Sequence, residues 1–191
     1  PAGTTRTIMS EDTAKYLDPS PTWLRSLGAD AEHLASVLEA GGVSPGAREA
    51  VAGGINYLFK SLDLIPDGID DIGYLDDAFV LRVAADLATR EETGDVPADT
   101  LKVLAELAEQ CDLVREFLGE NYARLESYVK GLRKGAARGR AVADILADEA
   151  MLAELLSDVR GFARSYSSPS FAREEKNLIK LRAFFDAKLP K

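Results

Sequence analysis

An all-α fold, specifically a helical bundle, is predicted by three features of the chain. Apolar residues recur at steps of three and four almost throughout, alternation with period two is nearly absent, and Ser-Pro pairs and glycines fall where helices would start and stop. The 191 residues are 46% hydrophobic and 29% charged, which excludes global disorder and fibrous classes. A chain of this length buries roughly 70% of its unfolded surface, enough for one helical domain over 1–191. Within it we expect an N-terminal hairpin over 44–92 and long bundle helices over 97–189.

The elements follow in order. Ser20-Pro21 and Ser44-Pro45 each place a capping hydroxyl before a proline whose missing N–H costs nothing in the first helical turn. With Gly28 and Gly41-Gly42 as left-handed stops, short helices are expected near 21–27 and 30–40. Ala47, Val51, Ile55, Leu58, Phe59 and Leu62 share one face of a helix over 47–62. The next helix starts at Leu75, with Leu75, Phe79, Val83 and Leu87 spaced by four. Arg82, Asp86 and Arg90 form an i,i+4 charge row outside that stripe. These two helices make the hairpin, joined through Pro66-Asp67-Gly68, where proline presets φ and glycine tolerates a positive φ.

From Leu101 a stripe runs through Leu104, Ala108, Cys111, Leu118, Tyr122, Leu125, Val129 and Leu132. One helix of about 48 Å would accommodate it, with Gly119 as the natural break. Leu107 and Val114 widen the stripe beyond a narrow two-stranded seam, which favours a bundle helix, while homodimerisation through the same stripe stays open. After a basic, glycine-rich joint, Val142, Ile145, Leu152, Leu156, Val159, Ala163 and Tyr166 continue the pattern. Ser167-Ser168-Pro169-Ser170 breaks it before a last helix carrying Leu178, Leu181 and Phe185.

Net charge is −9, and the acidity belongs to residues 1–100. A field of that sign opposes nonspecific phosphate binding and suits cations or basic partners. No stretch approaches the ~20 apolar residues of a membrane span, and no secretory core marks the first thirty residues, so cytoplasmic residence is expected. Peripheral membrane contact is left open. Cys111 is the sole cysteine, which excludes an intrachain disulfide and a cysteine metal cage; its place on the apolar stripe makes it a small core residue. His33, the sole histidine, is read as a solvent-edge helical residue, so triads needing histidine have no support. Neither a phosphate-cradling G-x-x-x-x-G-K-[ST] nor a G-x-G-x-x-G occurs.

The densest chemical signal is the turn itself. Asp63, Asp67, Asp70, Asp71, Asp76 and Asp77 fall within fifteen residues. As architecture, Asp63 and Asp67 serve turns and caps, and Asp76 and Asp77 sit at the positive end of a helix; Lys60 or Arg82 could pair with them. As a ligand cage, Asp63, Asp67, Asp71, Asp76 and Asp77 would gather calcium or magnesium, the candidate cofactors. Against a calcium-hand loop starting at Asp63, acids fall at the first, fifth and ninth places and Gly68 at the sixth. The template fails at Ile65 and Tyr74.

The run Asp63-Leu64-Ile65-Pro66-Asp67, followed by Gly73-Tyr74-Leu75-Asp76-Asp77, resembles the YkvA-like family, over about Ile55 to Leu87. The resemblance implies a small bacterial helical domain of unassigned function and supplies no catalytic residues. Departures are Lys60-Ser61-Leu62, where a proline is common before the first aspartate, and Asp70-Asp71, where an Ile-Pro step is common.

A second charged segment places Lys130, Arg133, Lys134, Arg138 and Arg140 among Gly131, Gly135 and Gly139. Such a patch could meet phosphates, anionic headgroups or an acidic partner. It could also be a solvated joint or fold back on the acidic turn. Aromatic residues do not interleave with it, so specific nucleic-acid binding is not expected. The expected function is a noncatalytic protein-interaction or scaffold module, with Asp63, Asp67, Asp70, Asp71, Asp76 and Asp77 as the partner-binding surface. The rival is a divalent-cation-binding regulator or hydrolase.

Overall fold

A computed structural model describes residues 11–91 and 94–191. Residues 1–10, which entered the reading of the N-terminus, and residue 92, the expected end of the hairpin, lie outside the described residues. The helices are α1 (Glu11–Leu17), α2 (Pro19–Glu39), α3 (Pro45–Tyr57), α4 (Leu75–Arg90), α5 (Ala98–Leu118), α6 (Asn121–Gly131), α7 (Val142–Ala147), α8 (Glu149–Ser165) and α9 (Glu175–Lys188). The expected all-α bundle is what forms. The exception is a two-residue antiparallel ladder, β1 (Ala136–Ala137) with β2 (Arg140–Ala141), after a 3₁₀ turn at Leu132–Lys134.

Helices α3 and α4 form the expected hairpin at the centre. Helix α4 packs against α3 on one side and α5 on the other, and α2 crosses α8, α3 and α4. One continuous apolar core runs from Leu17 to Leu189. Phe79 ties three layers together: it stacks on Phe185 of α9 with centroids 5.3 Å apart and meets Trp23 and Phe117 edge-on.

Several starts and stops agree with sequence chemistry. Ser44 Oγ accepts from the Ala47 N–H at 3.2 Å, with Pro45 opening α3. Gly119, at φ 55°, divides α5 from α6. Asp148 caps α8 by accepting from the Ala150 and Met151 N–H groups at 2.8 and 3.4 Å, which splits the stripe from Val142 to Tyr166 into two helices.

Other expectations are corrected. Residues 21–40 are not two helices, because α2 runs unbroken through Gly28. A Cβ there would lie 3.1 Å from Ala163 Cα, so this glycine serves the close crossing of α2 and α8 rather than a helix end. Ser20 is not a cap; its hydroxyl donates to the Tyr16 carbonyl at 3.1 Å. Helix α3 ends at Tyr57, leaving Leu62 82% exposed instead of on the apolar face. Arg82 belongs to no outer charge row. It is 1% exposed, lies 4.2 Å over the Trp23 ring, and donates to Asp30 Oδ2 at 3.1 Å, Gln110 Oε1 at 2.9 Å and the Ala78 carbonyl at 2.9 Å. Burial pulls its pKa down to about 10, opposed by the Asp30 charge.

The long stripe offers no seam to a second copy along most of its length: Leu104, Cys111, Leu118, Tyr122, Leu125 and Val129 are buried in this chain's own core. No helix among the described residues is long and apolar enough to cross a membrane.

Candidate functional site: the acidic junction between α3 and α4

The connection from α3 to α4 is held by side chains from both ends. Tyr57, in the last turn of α3, donates its hydroxyl to Asp76 Oδ2 at 2.5 Å and accepts from the Leu64 N–H at 2.7 Å. The same Asp76 oxygen accepts from the Ile65 N–H at 3.1 Å. Thus the Leu64-Ile65 backbone is hung on one tyrosine and one carboxylate, while both apolar side chains enter the core. The bend then closes through Ile69 N–H to the Pro66 carbonyl, 3.0 Å, and Gly73 N–H to the Ile69 carbonyl, 2.9 Å. Gly73 is required sterically, since a Cβ would stand 2.1 Å from the Asp67 carbonyl oxygen. Positive φ falls at Asp71 (69°) and Tyr74 (66°), not at Gly68 as the turn signal suggested.

The six aspartates therefore separate. Asp76 and Asp77, in the first turn of α4 as expected, are 0% and 3% exposed and cannot present themselves to a partner. Neither forms an ion pair with Lys or Arg among the described residues, and Asp76 Oδ1 and Asp77 Oδ2 are buried without hydrogen-bond partners. Burial raises the pKa of both; Asp76, Asp67 and Asp63 add repulsion at Asp77, whereas the Tyr57 and Ile65 bonds partly offset the rise at Asp76. Burial, with the charge of Asp76 beside it, also drives the Tyr57 hydroxyl well above its ordinary value.

Asp63 is half-buried and is pushed up to about 6 by burial and by Asp67, with Lys60 opposing. Partial desolvation raises the pKa of Asp67, with Tyr74 opposing. Asp71 turns to the C-terminal segment, where its Oδ1 accepts from the Ala172 N–H at 2.7 Å. Asp67 and Asp70 are exposed. Among the described residues, no group of three or more His, Cys, Asp or Glu side chains is placed to hold a metal ion, so the five-aspartate cage does not assemble in this arrangement.

Expected basic partners went elsewhere. Arg82 is committed to Asp30, and Lys60 donates to the Tyr128 hydroxyl at 3.2 Å. The basic joint does not fold onto the acidic turn. Arg133 meets Glu49 at 3.8 Å, Lys130 meets Glu126 at 3.9 Å, and Arg138 meets Asp158 at 3.3 Å. Arg140 is buried against Asp158, 2.6 Å, and Glu154, 3.9 Å, and of the five cations of this joint only Lys134 has no ion pair among the described residues. The glycine spacing there builds a hairpin tip at Arg138-Gly139, with φ of 49° and 74°, rather than a helical stripe.

Cys111 is buried in the core with its Sγ 3.3 Å from the Tyr122 hydroxyl, and burial pushes its thiol up to about 11. His33 is exposed on α2. Tyr57 is the site residue that composition did not reveal. Its only signal was an aromatic at the end of α3, seven residues before Leu64, the position that takes its hydrogen bond.

Comparison with known proteins adds one match. A family model described as a protein of unknown function, DUF1232, matches residues 47–82, which hold most of α3, the whole acidic connection and the first half of α4. No curated protein and no solved structure matches the chain.

Proposed function

We propose that the chain is a noncatalytic, cytoplasmic helical interaction module that presents the exposed part of its acidic turn to a basic protein surface. The single observation that supports this is the division of labour within the turn. Tyr57, Asp71 and Asp76 each commit one oxygen to fixing backbone, at Leu64, Ala172 and Ile65 respectively. Asp67 and Asp70 stay exposed on the loop so held, with Asp63 half-buried beside them. A prearranged acidic ledge costs little ordering entropy on binding. Its charge favours fast encounter with cationic partners, in line with the chain's net charge of −9. The D-L-I-P-D and Gly-Tyr-Leu-Asp-Asp elements that carry the ledge are those for which we favour a YkvA-like relationship.

The test is zero-length carbodiimide coupling in extract from the source cells, which joins carboxylates to lysines in direct contact. Cross-links are expected at Asp67 and Asp70, lost in Asp67→Asn/Asp70→Asn and weakened by salt. Cross-links that fall elsewhere, or that survive the double substitution, would refute the ledge as the contact.

The rival role, a divalent-cation-dependent regulator or hydrolase, draws its support from the orphaned oxygens Asp76 Oδ1 and Asp77 Oδ2. It requires Asp63, Asp67 and Asp71 to rearrange around them. Calorimetry with calcium and with magnesium separates the two: binding heat abolished by Asp77→Asn would favour the cation role, and no heat at millimolar ion would dismiss it.

A further inference from the structure

On the other side of Lys60 from the acidic turn, the fold leaves a cleft of about 560 Å³ between α6, the 3₁₀ turn and the C-terminal residues Pro190 and Lys191. That volume is in the range of small-molecule sites. A second hollow of about 250 Å³ adjoins it, bounded by residues 60–62 and the β1–β2 hairpin, and Lys60 lines both. In a chain of net charge −9, no Asp or Glu side chain lines either hollow.

Four cationic residues line the two hollows: Lys60 just after α3, Arg124 from α6, Lys191 after α9 and Arg138 from the hairpin tip. Arg124 is immobilised, donating to the carbonyls of Asp186 at 3.0 Å and Pro190 at 3.1 Å and to Asp186 Oδ1 at 3.2 Å. Arg138 lies 4.7 Å over the Phe59 ring and is partly offset by Asp158. Lys60, the cation that lines both hollows, forms no ion pair among the described residues. One N–H goes to Tyr128, whose ring it also faces at 5.4 Å, and Asp63, which feels the Lys60 charge, is outside the lining. Ser127, exposed on α6, adds a hydroxyl, while Tyr128, Leu132 and Pro190 supply apolar surface.

We infer that this cleft binds an organic phosphate, with Lys60 as the principal charge and the Ser127 and Tyr128 hydroxyls as neutral donors. The volume exceeds what inorganic phosphate alone would fill, and the apolar wall suits an attached carbon skeleton. A soluble phosphate monoester and a phosphatidate headgroup share this chemistry, and Leu62, 82% exposed at the rim, is placed to enter a lipid surface in the second case. The site is separate from the acidic ledge and does not depend on it.

The experiment measures binding of phenyl phosphate by calorimetry, and cosedimentation with phosphatidylcholine vesicles with and without phosphatidic acid. It uses the full chain and the variants Lys60→Gln, Ser127→Asp and Lys102→Gln. Ser127 is exposed, so Ser127→Asp should fold even if Lys60→Gln is impaired, and Lys102 lies outside the cleft as the charge control. Expected is at least a tenfold loss with Lys60→Gln and with Ser127→Asp, and no change with Lys102→Gln. Loss seen with phenyl phosphate supports a soluble ligand, and loss seen only with phosphatidic acid vesicles supports a headgroup. Absence of binding to both probes, or binding that all three variants retain, would overturn the site.

Discussion

Replacing Asp77 by asparagine should stabilise the protein at neutral pH, and the gain should disappear in acid. Asp77 is 3% exposed with one oxygen unpartnered, it neighbours buried Asp76, and among the described residues no cation pairs with either. Its folded pKa therefore lies well above the unfolded value, chiefly through burial. A carboxyl with a raised folded pKa contributes stability below its unfolded pKa and loses it as pH climbs toward the folded one. For one proton held in the fold but released on unfolding, the slope is about −1.4 kcal/mol per pH unit. Between the ordinary aspartate value near 4 and pH 7 this sets a ceiling of about 4 kcal/mol on the penalty that Asp77→Asn can relieve. Imperfect hydrogen bonding of the new amide reduces the gain, so we expect about 1–3 kcal/mol at pH 7, or a rise in Tm of several degrees at about 2–4 °C per kcal/mol. Paired urea titrations of wild type and variant from pH 4 to pH 8 supply the difference curve, in which other titrating groups largely cancel. A flat difference, or a variant less stable than wild type at pH 7.5, would show that the Asp76–Asp77 pair is not held protonated by burial.

Three further outcomes test other parts of the structure. Arg82→Ala should cost about 3–5 kcal/mol in urea unfolding because it empties a buried site against Trp23 and leaves the part-buried Asp30 carboxylate without its cation, and Arg82→Leu with Asp30→Leu should recover much of that loss. Cys111 should resist a thiol reagent at pH 8 until the chain unfolds, because burial pushes its thiol up to about 11; labelling at the rate of a free thiol would place it outside the core. Arg133→Glu with Lys134→Glu should change stability by under about 1 kcal/mol, since the joint makes only the exposed contact with Glu49 there. A larger loss would reveal an attraction to the acidic turn that the geometry lacks.

Much of the fold was legible because helix periodicity, caps and breakers act within a few residues. Ser44-Pro45, Leu75 and Gly119 mark boundaries where the folded chain has them. Failures cluster where a distant partner reverses a local preference. Gly28 reads as a stop, yet Ala163 on α8, far along the chain, makes it a crossing point within an unbroken helix. Arg82 reads as surface, yet Asp30, Gln110 and Trp23 from two other helices surround it. Asp148 lies in an apolar stripe without interrupting its period, so the cap dividing α7 from α8 escaped notice.

The acidic turn shows the same limit at the candidate site. By itself, the sequence determined that six aspartates lie in one connection and that helices flank it, because composition and period are properties of neighbours along the chain. Only the tertiary structure decided which carboxylates are buried, which hold backbone and which face solvent. Those outcomes depend on Tyr57 reaching across the bend, on Ala172 arriving from the far end of the chain, and on how much water the packed helices exclude around Asp76 and Asp77.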